Sequence, residues 1–485
     1  MASYSDAVRH LLRRAGFGAR PDEVLFYGEL KMRDAIDLLI DFEQVDDDVD
    51  SFLGKAGYVN TTSRGQFLPN TVIVDARQRW LFRMLHSNRP LQEKMTLFWH
   101  NHFATAYSKI AGTYGSSDGT RLMAAKPSED PVKQEGQLEL IRRLCMGNFS
   151  DLLVAVAKDP AMIVWLDGRL NTKQQPQENF GRELMELFSM GVGFYTEPDV
   201  YAAARVFTGW NLQRRTTSGT DPNPSYAFIF NGATHETAAK TFTFPIYTDG
   251  NRTIPARSAD AGLQDGLDLI AAVARHPETA RRLVRKLWGF FISELTPPDD
   301  ETVQRLADVY LSSGTHIGTL MRRILQTSDF RDDANYFARY SWPAEFVIRS
   351  LKEVGWVGFS VNDAVSAMIN MGQQLYEPPD VSGWELGPGW VSTSGMLARM
   401  NYAATLTTNQ KVRLSASAKP YNKTADSVLS FAVDRLSMVP FENAPYEDLR
   451  AYLQSAAWTG SDAQLQVKVP GLVHLMVGSG EYVFV

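Results

Sequence analysis

The chain has 485 residues, 44% hydrophobic and 21% charged, with a formal net charge of −6 and one cysteine, Cys145. This is the composition of a globular protein long enough to bury its own core, not of a disordered or fibrous chain. The acidic balance and the absence of a long basic run count against a nucleic-acid binder, and a single thiol forbids an intrachain disulfide.

The first ten residues hold no apolar core and no cleavage site, so they do not read as a signal peptide. No stretch approaches the roughly 18 apolar residues of a membrane span. Taken literally, the sequence places the protein in the cytoplasm. Export with a partner, or on a signal removed from this chain, is the alternative. Residues 5–15 form an amphipathic helix that stops at Gly16 and Gly18, and Arg20-Pro21-Asp22-Glu23 starts another, with Pro and acids in its first turn. Residues 44–70 read as a loop. Residues 72–89 and 91–103 read as helices parted by Pro90. Residues 111–136, poor in apolar residues and rich in Gly, Ser and Pro, read as a long functional surface loop. Helices follow at 137–147, 150–158, 177–190 and 197–208.

The character changes at 215–262. Tyr226–Phe230 and Thr241–Tyr247 are rich in β-branched and aromatic residues and flank Asn231-Gly232, which predicts a small β-hairpin between them. Helical spacing returns at 263–275, 277–294, 300–313, 316–327, 341–354 and 361–371. A loop dense in Pro, Gly and Trp covers 376–393, and further helices fall at 395–408, 425–437 and 463–477. No repeat, heptad pattern or linker divides the chain. The expectation is therefore a mainly α protein: one large helical domain over 1–485, a β-containing insertion at 215–262, and two long functional loops at 111–136 and 376–393.

The chemistry-bearing residues cluster in a few motifs. On the 177–190 helix, Phe180, Leu184, Leu187 and Phe188 form the buried stripe, while Asn179, Glu183 and Glu186 share an arc of about 60° beside it. Two carboxylates that close repel unless they share a proton or a cation, which points to acid–base chemistry or a divalent metal. The alternative is a pair of ordinary surface glutamates. His100-x-His102 invites a metal site with Glu183, but helical spacing turns His102 to the core and His100 about 160° away. Asp167, after a helix, is a carboxylate ligand, a general base or a turn residue. His235 with Lys240 is placed to bind an anionic group. In the aromatic loop, Asp380 and Trp384, joined by Trp210, offer a substrate-binding wall or a plug between helices. His10 and Arg14 read as an N-terminal docking pair. Phosphate-loop, zincin, serine-elbow and Cys-x-x-Cys motifs are all absent.

Five stretches occur together: His10-Leu-Leu-Arg-Arg-Ala-Gly-Phe-Gly18, Phe98-Trp-His-Asn-His-Phe103, Glu178-Asn-Phe-Gly-Arg-Glu-Leu-Met-Glu-Leu-Phe188, Tyr195-Thr-Glu-Pro-Asp-Val200 with Thr208-Gly-Trp210, and Pro378-Pro-Asp-Val-Ser-Gly-Trp384. In order and spacing they resemble the bacterial domain of unknown function 1800 family, over roughly residues 8 to 482. The resemblance implies a helical fold and a sulfatase-like genomic neighbour with a twin-arginine export signal. It implies no established reaction. Members often carry a secretion signal of their own, and often have His-Asp-x-x-x-Lys where this chain has His235-Glu-Thr-Ala-Ala-Lys240.

The function expected from these residues is an enzyme with a carboxylate/histidine site between helices. Glu183, Glu186 and Asp167 would supply acids, and His100, His102 or His235 would complete the site. A divalent metal would activate water; without one, the carboxylates would perform acid–base hydrolysis of a carbohydrate-like substrate, as glycoside hydrolases do. The alternatives are a non-catalytic partner or export companion of the sulfatase-like protein, or a glycan-binding protein working through Trp384.

Overall fold

The computed structural model describes residues 4–53, 61–62, 65–216, 223–355, 362–408, 414–437 and 444–485. Twenty-three α-helices lie in this part of the chain, with three two-stranded antiparallel sheets. The protein is mainly α, as the 3.6-residue periodicity requires. No helix among the described residues is long and apolar enough to cross a membrane.

The two ends of the chain meet at one helix, Pro343–Glu353. Arg349 donates to the carbonyls of Tyr482 at 3.1 Å and Phe484 at 2.8 Å. Gly18, at φ +82°, lies so close that a Cβ there would stand 2.9 Å from Arg349 Cγ. The N-terminal helix Tyr4–Arg14 docks as its His and Arg suggested: His10 Nε2 donates to the Phe330 carbonyl at 2.9 Å, and Arg14 donates to the Asn335 carbonyl at 2.7 Å. Charge is buried throughout the core, where it must be paired to be tolerated. Arg83 lies between Asp50 and Glu139, Arg121 meets Asp130, and Glu345 receives both Lys94 and Arg339.

Residues 111–136 are not one long loop. Helices Tyr107–Tyr114 and Ser116–Ala124 occupy the first part, and residues 119–124 are buried. Apolar residues are scarce because these helices pack by close backbone approach: a Cβ on Gly119 would stand 2.9 Å from the Ala111 nitrogen. The buried cation Arg121 is satisfied by Asp130 and the Pro224 carbonyl.

The hairpin also pairs differently. Strand Ser225–Phe230 pairs with Trp210–Arg215, Trp210 opposite Phe230, and not with the 241–247 run. Lys240–Thr241 pairs with Thr253–Ile254 instead. Asn231 does not turn the chain back; its side chain caps a short 3-10 turn, and its N–H donates to the Gly209 carbonyl at 2.8 Å. The first strand escaped the sequence because Trp-Asn-Leu-Gln-Arg-Arg ends in exposed polar residues.

The helix carrying the glutamates runs Asn179–Glu186, shorter than its periodicity predicts. Gly181 lets it approach helix Glu197–Val206, where a Cβ would stand 2.8 Å from Ala203 Cβ. The end of the helix widens, with Phe188 N–H bonding the Glu183 carbonyl, and Gly191 at φ +89° turns the chain away.

Candidate active site

Helix Pro90–His102 ends in the motif that brings the site together. Asn101 holds the aromatic loop by its backbone: Nδ2 donates to the Trp384 carbonyl at 3.0 Å, and Oδ1 accepts the Trp384 N–H at 2.6 Å. Only glycine fits beside this clamp. Gly383 has φ +83°, and a Cβ there would stand 2.3 Å from Asn101 Oδ1. On the other side, His100 Nε2 accepts the Tyr376 N–H at 3.2 Å. The Tyr376 carbonyl in turn accepts the Tyr107 N–H at 2.8 Å. The 376–384 segment is thus fastened to the end of this helix and to the start of the next.

His102 points elsewhere, so the two histidines do not converge. Its Nε2 donates to the Phe188 carbonyl at 3.0 Å, which fixes the tautomer, and its Nδ1 faces Lys286 Nζ at 3.0 Å. Burial, reinforced by the charges of Lys286 and Arg282, holds its pKa well below the usual histidine value. Burial alone brings His100 down to about 3. The expected His100, His102 and Glu183 metal set is therefore not assembled: the ring nitrogens facing Tyr376, Phe188 and Lys286 are engaged by protein groups. Among the described residues, no three His, Cys, Asp or Glu come together in a group fit to hold a metal ion.

Helix Pro277–Phe291 supplies the cations. Arg282 and Lys286 stand one turn apart, both half-buried, beside the buried Leu283 and Leu287. Arg282 donates to the Leu187 carbonyl at 2.6 Å, just past the glutamate helix. The charge of Glu186 opposes the lowering of the Arg282 pKa by burial. Lys286 has no carboxylate within ion-pair distance among the described residues. Burial first, and then the Arg282 charge, bring its amine down to about 7.

Glu183 and Glu186 share one face, but their surroundings differ. Glu186 accepts the Tyr195 hydroxyl. The Glu183 carboxyl has no hydrogen-bond partner among the described residues. Burial, then the neighbouring Glu186 charge, raise its pKa, and Arg182 opposes this only partly. Arg182 is turned to Glu197 at 2.8 Å and Glu178 at 3.2 Å. At the other end of the helix, Asn179 donates to Asp167 at 3.3 Å, and Lys109 pairs with Asp167 at 3.1 Å. Asp167 sits in the left-handed region at φ +59°, which Asp tolerates better than most residues.

These groups follow one another along the helices and the aromatic loop, joined from element to element by hydrogen bonds except between Glu186 and Arg282, which interact through their charges. Lys109, Asp167 and Asn179 lead along one helix to Glu183 and Glu186. Arg282 and Lys286 lead on to His102, then Asn101 and the Trp384 segment. That loop returns through Glu377, which accepts from Ser108 N–H at 3.1 Å, next to Lys109.

The other predicted residues lie outside this series. His235 and Lys240 are placed together, in contact with a carboxylate of the protein itself. They are buried against Asp265, His235 Nε2 at 3.2 Å, with Arg257 on the other carboxylate oxygen. This knot ties the β insertion to helix Leu263–Arg275 and holds the Asp265 pKa below the usual carboxylate range, against its burial. Trp210 and Trp384 are buried, so neither presents an open face. Trp210 lines a small cavity with Phe180, Phe207 and Met162, with free volume of about 20 Å³, room for one water. Asp380 is exposed and caps its own turn, accepting the Ser382 N–H at 2.8 Å.

Sequence reasoning missed Lys109, Tyr195, Arg282 and Lys286. The one available signal was the pair Arg282 and Lys286 at i, i+4, two basic residues beside an apolar stripe. A family model described as "Protein of unknown function (DUF1800)" matches residues 10–484. No curated protein and no solved structure matches the chain.

Proposed function

We propose, from the premise that this chain belongs to the DUF1800 family, that it is an acid–base enzyme acting as a hydrolase between helices Pro90–His102, Asn179–Glu186 and Pro277–Phe291. The observation that carries this reading is the asymmetry of the two glutamates. Adjacent carboxyl groups in different surroundings are the arrangement that divides acid and base roles between them. Glu183, half-buried and without a hydrogen-bond partner among the described residues, is the proton donor. Glu186, which accepts the Tyr195 hydroxyl, is the proton acceptor. Asp167 and Asn179 belong to the same series and orient substrate. The hydroxyl and amide groups of Ser108, Asn179 and Tyr195 suit a polyhydroxylated, carbohydrate-like substrate.

Turnover of para-nitrophenyl glycosides by wild type, Glu183→Gln and Glu186→Gln tests the reading. The expected outcome is a loss of about 10²–10⁴-fold in kcat for Glu183→Gln, with the fold intact by circular dichroism. Equal turnover by all three proteins would sink it.

A second reading, that the chain is a non-catalytic companion of an exported sulfatase-like protein, draws on Val192 and Phe194. These side chains are 74% and 45% exposed, in a turn that includes Gly191 and Gly193. Under it, a co-purified complex would be broken by Val192→Asp without change in the site.

A further inference from the structure

We propose that Lys286 is an amine nucleophile that captures a substrate carbonyl as an imine, so that the site acts on an aldehyde- or ketone-bearing molecule such as an open-chain sugar. The proton transfers rest on the acid–base reading above; the capture itself rests on the surroundings of Lys286.

The first ground is the missing counter-charge. The fully buried lysines are paired with carboxylates, Lys94 with Glu345, Lys240 with Asp265 and Lys352 with Glu23 at 2.9 Å, and so are half-buried Lys126 with Asp50 at 2.5 Å and Lys109 with Asp167 at 3.1 Å; half-buried Lys158 instead lies over the Trp210 ring, and half-buried Lys468 donates to the Tyr452 carbonyl at 2.6 Å. Among the described residues Lys286 has only a histidine nitrogen. A buried ammonium without a carboxylate is costly, and a guanidinium one turn away adds to the cost. Such a lysine is driven toward the neutral amine, which is the nucleophilic form.

The second ground is orientation. His102 has its proton on Nε2, held by the Phe188 carbonyl, so Nδ1 can only accept. An amine N–H donated to that lone pair at 3.0 Å leaves the Lys286 lone pair free to attack. The groups facing Lys286 are His102 from one helix and Arg282 from its own. Glu186 and Tyr195 lie beyond Arg282. Lys286 is half-buried, whereas Lys94, Lys240 and Lys352 are fully buried.

The step balances without an oxidant. The Nζ lone pair forms a bond to the carbonyl carbon, and the carbonyl π pair moves to oxygen, which takes a proton from Glu183. The Glu183 carboxylate takes one proton from the new ammonium nitrogen and gives it to the carbinolamine hydroxyl, which departs as water while the nitrogen lone pair forms the C=N bond; the second N–H proton then restores Glu183. Amine plus carbonyl becomes imine plus water, with the two protons lost from nitrogen replacing the two that Glu183 supplied. Hydrolysis reverses the sequence and frees Lys286.

The test uses the intact protein with glycolaldehyde and sodium cyanoborohydride, which reduces the imine to a stable hydroxyethyl amine read by peptide mass mapping. At pH 7, Lys286 is expected to be labelled about tenfold faster than exposed lysines such as Lys173, with its rate levelling off at mildly alkaline pH. Lys286→Arg should abolish that fast label and leave the rest unchanged. Labelling of Lys286 at or below the rate of the exposed lysines would overturn the proposal. Glu183→Gln separates the two readings: a fast Lys286 label formed at the wild-type rate leaves the amine in place and removes Glu183 as its acid, whereas a slowed label supports both.

Discussion

Lys286 Nζ stands 3.0 Å from His102 Nδ1, and these residues are 184 positions apart in the chain. A cation-forming group has thus been placed beside a base that cannot neutralise it, at the junction of three helices. The consequences are measurable in stability as well as in chemistry.

Lys286 should make stability depend on pH in a defined window. Its folded pKa is about 7, below the ordinary 10.5 of a free lysine. Between these values the unfolded chain binds more protons than the folded one, so stability from this group rises with pH across roughly 7 to 10.5 and is lowest below 7. Lys286→Met should therefore stabilise the protein by about 1–2 kcal/mol at pH 6, the nominal shift being screened at a half-buried site. The gain should shrink toward pH 10, as read by urea unfolding at each pH.

Glu183 carries the opposite dependence. Its folded pKa lies above 4.5, so the folded protein binds more protons in that range and the cost appears as pH rises through the raised value. Glu183→Gln should raise the melting temperature at pH 7. It should leave it unchanged at pH 4. A stabilising substitution that removes turnover is the expected trade-off at a working site.

The clamp on the aromatic loop depends on Asn101. Asn101→Ala removes both bonds to Trp384 and should cost about 1–3 kcal/mol. Gly383→Ala should cost more, because its backbone is left-handed and its Cβ would strike Asn101. Amide hydrogen exchange confined to the Tyr376–Trp384 segment should accelerate in both variants.

The knot around Asp265 should prove structural. Asp265→Asn leaves Lys240 and Arg257 facing a neutral amide, and should cost about 3–5 kcal/mol in urea unfolding. His235→Ala should destabilise while leaving the Lys286 label untouched. A loss of that label in a folded His235→Ala protein would place His235 back in the site.

Local patterns were legible without the structure. The spacing of Phe180, Leu184 and Phe188 identified a helix and put Asn179, Glu183 and Glu186 beside its buried stripe. His10 and Arg14, one turn apart, pointed to a docked N-terminus. Each inference rests on neighbours within one or two turns, where the geometry of the backbone alone dictates which side chains meet. The 111–136 segment misled because its helices pack through Gly119 and a buried Arg121, so composition no longer reports burial.

The sequence by itself determined most of the helices, the carboxylate pair and the end-to-end motif order that marks the family. Only the tertiary structure decided what those carboxylates face. His100 and His102 part to opposite partners, His235 is drawn into a knot with Asp265, and Lys286 arrives beside His102 from a distant helix. Those outcomes depend on which helix packs against which. A site charge is tuned by neighbours across the interface, and the local periodicity of its own helix does not contain them.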